Sequence, residues 1–438
     1  MKSVLKTILF VAAVIACVYY FRNDGNDVIR RIREWAERTA EHLEMLASAS
    51  EEERDVITEP VSGESSDWYS GGLSEGYNSS GGADITSHIG LSSAGENMEM
   101  QDSHARENRV RNEFQGRSES EKLQWTKEVT ERYAPNAWTL LMLYDALPAY
   151  QKVESVDGMV MTAQKTVSTF AYMDGGSATE LLGEMATNVH EIAHGLCRHY
   201  PFSHAREKGL KMNWDDTSLA YYLSPSTIYT VTFPTASLFP SAELVPEIPR
   251  DLRTFRFETY VNGRTSTQSE GVLGLLNEFH AYYLGSRCGY DLLDAYILAE
   301  GSVAMGLLEW IRALQSTISA YWEFDFFIRE YLLHMSTRYP DDYALLVSKG
   351  EFADAYREFR KAYGDLVSKY VARITETADR LEASGEAEVT IEDVMVWIDY
   401  NGFSHKQGVT FFDDAKAILE PVINSHRYDQ VEELLSGR

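Results

Sequence analysis

The string His190-Glu191-x-x-His194 constrains this chain more than any other feature, because it demands a helix and dictates what that helix must approach. Residues four apart project from one side of a helix, so two imidazoles at that spacing converge on one metal ion. Glu191 follows the first histidine by one position. It lies beside the pair rather than in it, placed to take a proton from an activated water without being a ligand. Local signals specify the helix. Ser177-x-x-Glu180 is a capping box directly after Gly175-Gly176. Leu181, Met185, Val189, Ile192 and Leu196 recur every three or four residues as one apolar face. Pro201 sets the expected far end, which predicts a helix of about five to six turns.

A hydrolytic zinc site needs a third protein ligand and an open position for water. Nearby residues do not supply one. Cys197 and Tyr200 stand where a metzincin pattern wants Gly and His, and His199 falls on the opposite helix face at about 100° per residue. Further along, Thr267-x-x-Glu270 reads as a second capping box, followed by an apolar face of Val272, Leu275, Leu276, Phe279 and Tyr283. Glu278 lies in this second helix. Its neighbours on the same side are Gly271, Gly274, Ala281 and Gly285, and the first helix carries a matching row of Gly183, Ala186, His190, Ala193 and Cys197. Glycine costs helix stability, so such rows are expected where another backbone packs closely. The two rows predict close helix-helix approach, with His190, His194 and Glu278 around one zinc ion. The alternative is that Glu278 is a charge at a helix boundary or one paired with an arginine.

With these residues in view, the chain resembles the gluzincin branch of the zincin metallopeptidases. It has HExxH on one helix and an Asn-Glu-containing helix downstream, here Asn277-Glu278. The resemblance covers two helices and a strand rather than the whole chain. It implies a His-His-Glu zinc site and peptidase activity on a peptide or protein substrate. The spacing departs from the thermolysin-like members: His194 to Glu278 is 84 positions (278 − 194), much wider than theirs. Those members also place an Asp four positions after the ligand Glu, to hold the first His in its tautomer. This chain has Tyr282 there, whose phenol fills that role only weakly as a hydrogen-bond acceptor. Residues 166–173 read as a strand that in zincins binds substrate backbone, and 254–261 as a second strand; a small structural sheet is the alternative. Tyr260, Tyr283, His334 and Tyr339 are the candidates for stabilising an oxyanion.

The N-terminus bears on compartment. Lys2 and Lys6 precede an uncharged run from Thr7 to Phe21, which with Val4 and Leu5 approaches the roughly 20 residues that span a bilayer. An uncleaved anchor, a lipoprotein signal acylated at Cys17 and a cleaved signal peptide all fit. The aromatic Tyr19-Tyr20-Phe21 favours a transmembrane anchor, and each of the three places the body outside the cytoplasm, at a membrane. Residues 22–58 read as a charged helical stalk, and 59–114 as a flexible tether rich in Ser, Gly and acids. A net charge of −27 argues against nucleic acid, whose phosphates would be repelled. It says little about the substrate. Cys197 and Cys288 are an even pair that a disulfide could join, or two buried thiols.

Residues 115–438 form the expected catalytic region. The fold class is α+β, mostly helical and zincin-like, with a small sheet between 158 and 262 and a helical C-terminal part from about residue 300. Apolar periodicity there runs through 302–316, 319–338, 351–383 and 412–436. The expected function is a membrane-tethered, extracytoplasmic zinc peptidase. The competing reading is an anchored, non-catalytic helical binding protein with a structural or vestigial metal site.

Overall fold

The structure, a computed structural model, describes residues 114–435 apart from 174, 264 and 401–405. The expected anchor at 1–21, the stalk at 22–58 and nearly all of the 59–114 tether lie outside the described residues. The transmembrane-helix expectation is corrected: among the described residues, no helix is long and apolar enough to cross a membrane. The longest helix shows why. It buries Glu323, Asp325, Arg329 and Glu330 inside the protein, and such charges are costly in hydrocarbon.

The described chain is predominantly helical, with small antiparallel sheets. Helices α1 (Glu119–Tyr133) and α2 (Pro135–Ala146) lead into the hairpin β1 (Tyr150–Glu154) and β2 (Val160–Gln164). Helix α3 (Ala178–Lys208) follows, then the hairpin β3 (Asp216–Ser224) and β4 (Thr227–Pro234), which has a register irregularity at Tyr222/Ser224. After short turns come α4 (Gly271–Asp291), α5 (Leu293–Glu300), α6 (Val303–Arg338), α7 (Pro340–Lys349) and α8 (Glu351–Ser384). A sheet of β5 (Ala387–Glu392), β6 (Met395–Tyr400) and β7 (Gln407–Thr410) precedes α9 (Ala415–Ile423) and α10 (Asp429–Leu435).

Helix α3 starts where its capping box places it: Ser177 Oγ accepts the Glu180 N–H, and the Glu180 carboxylate accepts the Ser177 N–H. It does not stop at Pro201. A proline inside a helix costs about 3 kcal/mol, yet α3 continues to Lys208 and closes on the left-handed Gly209 (φ 64°). Its last turns are tied to the first hairpin. Buried Gln151 donates to the His199 carbonyl (3.2 Å) and accepts from Ser203 Oγ (2.6 Å).

Helix α4 runs through the middle of the core, packed against α3, α6, α8, α2 and β3. Val272, Leu275, Leu276 and Phe279 are buried, each worth about 1.5–3 kcal/mol by burial. Its start differs from expectation. Ser266–Glu270 form a 3₁₀ turn and α4 begins at Gly271, with the Glu270 carboxylate bound by Arg198 instead of capping the helix. Gly271 has φ 56°, and a Cβ there would lie 2.4 Å from Tyr331 Oη and 2.9 Å from the Phe239 carbonyl.

Neither strand assigned at 166–173 or 254–261 forms. The first is an irregular turn segment, and the second contains a single helical turn, Phe257–Tyr260. Thr254 and Arg256 spend their polar groups on the Glu323 side chain rather than on a neighbouring strand. The expected 302–316 and 319–338 segments are one continuous helix, and the β5–β7 sheet lies beyond the region where strands were expected.

Candidate metal centre

The two rows of small residues do meet. A Cβ on Gly285 would lie 2.8 Å from the Ala186 carbonyl and 3.4 Å from His190 Cβ, and one on Gly289 would lie 3.8 Å from Ala186 Cβ. Ala193, Cys197 and Ala281 are fully buried nearby. This close approach brings three candidate ligands together across the α3–α4 interface.

His190 Nε2 and His194 Nε2 lie 3.1 Å apart. Glu278 Oε2 is 3.3 Å from His194 Nε2 and 3.8 Å from His190 Nε2. Ligands at about 2.0–2.1 Å from a tetrahedral zinc are separated by about 3.3 Å. The three separations bracket that value, so the group could hold one metal ion. A zinc ion held by two imidazoles and one carboxylate would keep one position for water, as catalytic rather than structural zinc sites do.

The local electrostatics separate the two rings. Burial, reinforced by the neighbouring His194 and opposed by Glu278, depresses the pKa of His190 to about 3. Burial also acts to lower His194, but the Glu278 carboxylate beside it outweighs that effect, leaving the ring above its ordinary value. Asn277 Oδ1 lies 3.1 Å from His194 Nδ1. An acceptor there makes Nδ1–H the donor and turns the Nε2 lone pair toward His190 and Glu278. Glu191 is outside the ligand group. Burial raises its carboxyl above the ordinary range, Glu278 adds to the rise, and His194 opposes it.

His190 has a different support. Its ring meets Tyr282 edge to face, with centroids 4.5 Å apart. The Arg256 guanidinium carbon lies 4.6 Å from the Tyr282 ring centre, and Tyr282 Oη lies 3.1 Å from Tyr260 Oη. Of the four oxyanion candidates, Tyr260 is thereby placed beside the centre. Tyr283 packs on Phe359 and Tyr363, while His334 and Tyr339 gather on Phe239 and Glu243. His199 lies outside the ligand group, as its helix face requires. Cys197 and Cys288 are both free and buried, and burial pushes each thiol up.

Sequence reasoning missed Arg256 and the partner that holds it, Glu323, 67 positions away. It also passed over Asn277 as the partner of His194, although Asn277 is adjacent to Glu278 and carried the signal in its own motif.

No family model matches the chain, and no curated protein or solved structure is significantly similar to it.

Proposed function

We propose that His190, His194 and Glu278 bind one zinc ion and that the protein is a zinc-dependent hydrolase of the gluzincin type, acting on peptides or proteins. The observation that carries this reading is the convergence of three donor atoms from two tightly packed helices at zinc-sized separations. A zinc ion held there would supply a Lewis acid and would lower the pKa of water to about 7. Glu191 takes the proton of the attacking water and delivers it to the leaving amine. Its position next to His190, outside the ligand set, suits it to that task. The raised carboxyl brings its proton affinity closer to what a base working near neutral pH needs. Asn277 keeps His194 in the ligating tautomer.

A metal that merely staples α3 to α4 has no use for Glu191, so this residue separates the enzyme from the binding-protein reading. Glu191→Gln preserves shape and should retain zinc, but its amide cannot accept the proton. The expected loss of hydrolysis is about 10²–10⁴-fold. Wild-type protein, the variant and a chelated control are incubated with a peptide library, and new termini are read by mass spectrometry. Equal cleavage by both proteins excludes Glu191 as the base. Absence of cleavage by either across a broad library moves the reading to the non-catalytic alternative.

A further inference from the structure

A ligating imidazole must hold one rotational setting, and the two candidate histidines achieve this by different means. His194 has Asn277 Oδ1 at 3.1 Å behind its Nδ1. Among the described residues, the hydrogen-bond contact of His190 is made through Nε2, to His194. What bears on the His190 ring is Tyr282, edge to face at 4.5 Å.

We propose that Tyr282 is the positioning residue for His190, its ring bearing on the imidazole while the buried Arg256 guanidinium holds the tyrosine in place. The idea rests on the metal-centre reading and adds to it the device that orients the first ligand.

Three contacts fix the Tyr282 ring. The Arg256 cation sits 4.6 Å from its centre, Phe324 packs 5.2 Å away, and Tyr260 Oη lies 3.1 Å from its hydroxyl. Arg256 is itself immobilised. It is 3 % exposed and pairs with Glu323, which is fully buried, and its Nη2 donates to the Ser316 carbonyl at 3.0 Å. Glu323 Oε1 also accepts from the Arg256 backbone N–H (2.9 Å) and Thr254 Oγ1 (2.6 Å), so one carboxylate holds both the guanidinium and its backbone. A cation against an aromatic face is attractive, more so when water is excluded. Rigidity therefore passes from Glu323 to Arg256, from Arg256 to Tyr282 and from Tyr282 to His190. The contact is between rings and needs no proton acceptor at position 282, which removes the difficulty that a phenol accepts weakly.

The test uses the full chain as wild type, Tyr282→Leu and Tyr282→Phe. Zinc affinity is measured by competition with a chromogenic chelator, and the cobalt(II) absorption spectrum reports ligand geometry. Loss of an outer partner of a metal-bound histidine costs about 10–100-fold in affinity. Tyr282→Leu should fall in that range with an altered cobalt spectrum, while Tyr282→Phe, which keeps the ring and loses the hydroxyl, should stay close to wild type. Thermal melts without metal check folding, and Tyr282→Met replaces the leucine variant if that one does not fold. Tight zinc binding and an unchanged spectrum in Tyr282→Leu overturn the positioning role alone. A phenylalanine variant as impaired as the leucine one assigns the effect to the hydroxyl and overturns the ring contact. A wild-type chain that takes up neither metal overturns the metal centre itself, and the positioning role with it.

Discussion

Two parts of the interior bury charged and polar groups, and they satisfy them in opposite ways. Where α6, α8 and α10 meet, Asp325 and Glu432 face Arg329 and Arg360 at 2.6–3.3 Å. Tyr356 donates to Asp325, and Arg427 pairs with Glu330 alongside. Acids and bases are paired with one another within the chain. At the α3–α4 interface Glu278 faces two imidazoles, and burial holds one of them, His190, neutral down to about pH 3. All three donor atoms point at one another. Buried charge that the chain itself balances serves packing. Donors that converge with lone pairs inward are what a bound cation would complete.

The sharpest way to break this contrast is to remove a candidate ligand. His190→Ala or Glu278→Ala should lower zinc affinity by more than the roughly 100-fold that loss of an outer partner reaches. Metal that binds only the folded state stabilises it by about 2.7 kcal/mol at 100 times its dissociation constant. Chelation should therefore lower the melting temperature of the wild type and leave that of Glu278→Ala unmoved. Metal analysis showing one zinc per chain in both variants would sink the ligand assignment.

A second substitution probes the other region. Asp325→Ala leaves Arg329 and Arg360 sharing Glu432, which is only half-buried. Breaking a buried pair by removing one partner costs about 3–5 kcal/mol, read as a lower denaturant midpoint. Zinc affinity should not change. If affinity falls along with stability, the two regions are energetically coupled and the contrast between them fails.

What the sequence made legible follows the range of the interactions. The α3 start was readable because a capping box spans four residues, and α3 and α4 were readable because their apolar faces and small-residue rows repeat at helical spacing. Those rows also anticipated the close approach of Gly285 to Ala186. Reading failed where distant contacts decide. Proline ends many helices, but here Gln151, some 50 residues before Pro201, holds the turn on either side of it through His199 and Ser203. Glu270 has the spacing of a capping residue, yet Arg198 claims its carboxylate. Residues 254–261 alternate like a strand, and buried Glu323 bends them into a turn. Arg256 left no local mark at all, because its role depends on Glu323 and Tyr282, both remote in sequence.

The smallest expected effect lies at the edge of the charged cluster. Glu432 accepts from Arg329 Nη2 (2.6 Å) and Arg360 Nη1 (3.2 Å), but nearly half of its side chain, 46 %, is exposed. Solvent therefore screens the pairs, and Glu432→Gln should cost only about 0.2–1 kcal/mol near pH 7. The pH dependence has a definite sign. Partial burial pushes the Glu432 carboxyl up, but the hydrogen bond and charge of Arg329, with help from Arg360, outweigh it and hold the pKa below the ordinary 4.5. A carboxylate whose pKa is depressed by folding stabilises the protein above its unfolded value and loses that contribution as pH falls through the folded one. Wild type should accordingly be the more stable of the two at neutral pH, and its advantage should shrink once pH drops below about 4.5. Urea midpoints at paired pH values measure the difference directly. An advantage that grows on acidification would reverse the sign and contradict the pairing of Glu432 with the two arginines. A loss of several kcal/mol at pH 7 would show that the α10 carboxylate counts as buried charge after all, on a par with Asp325.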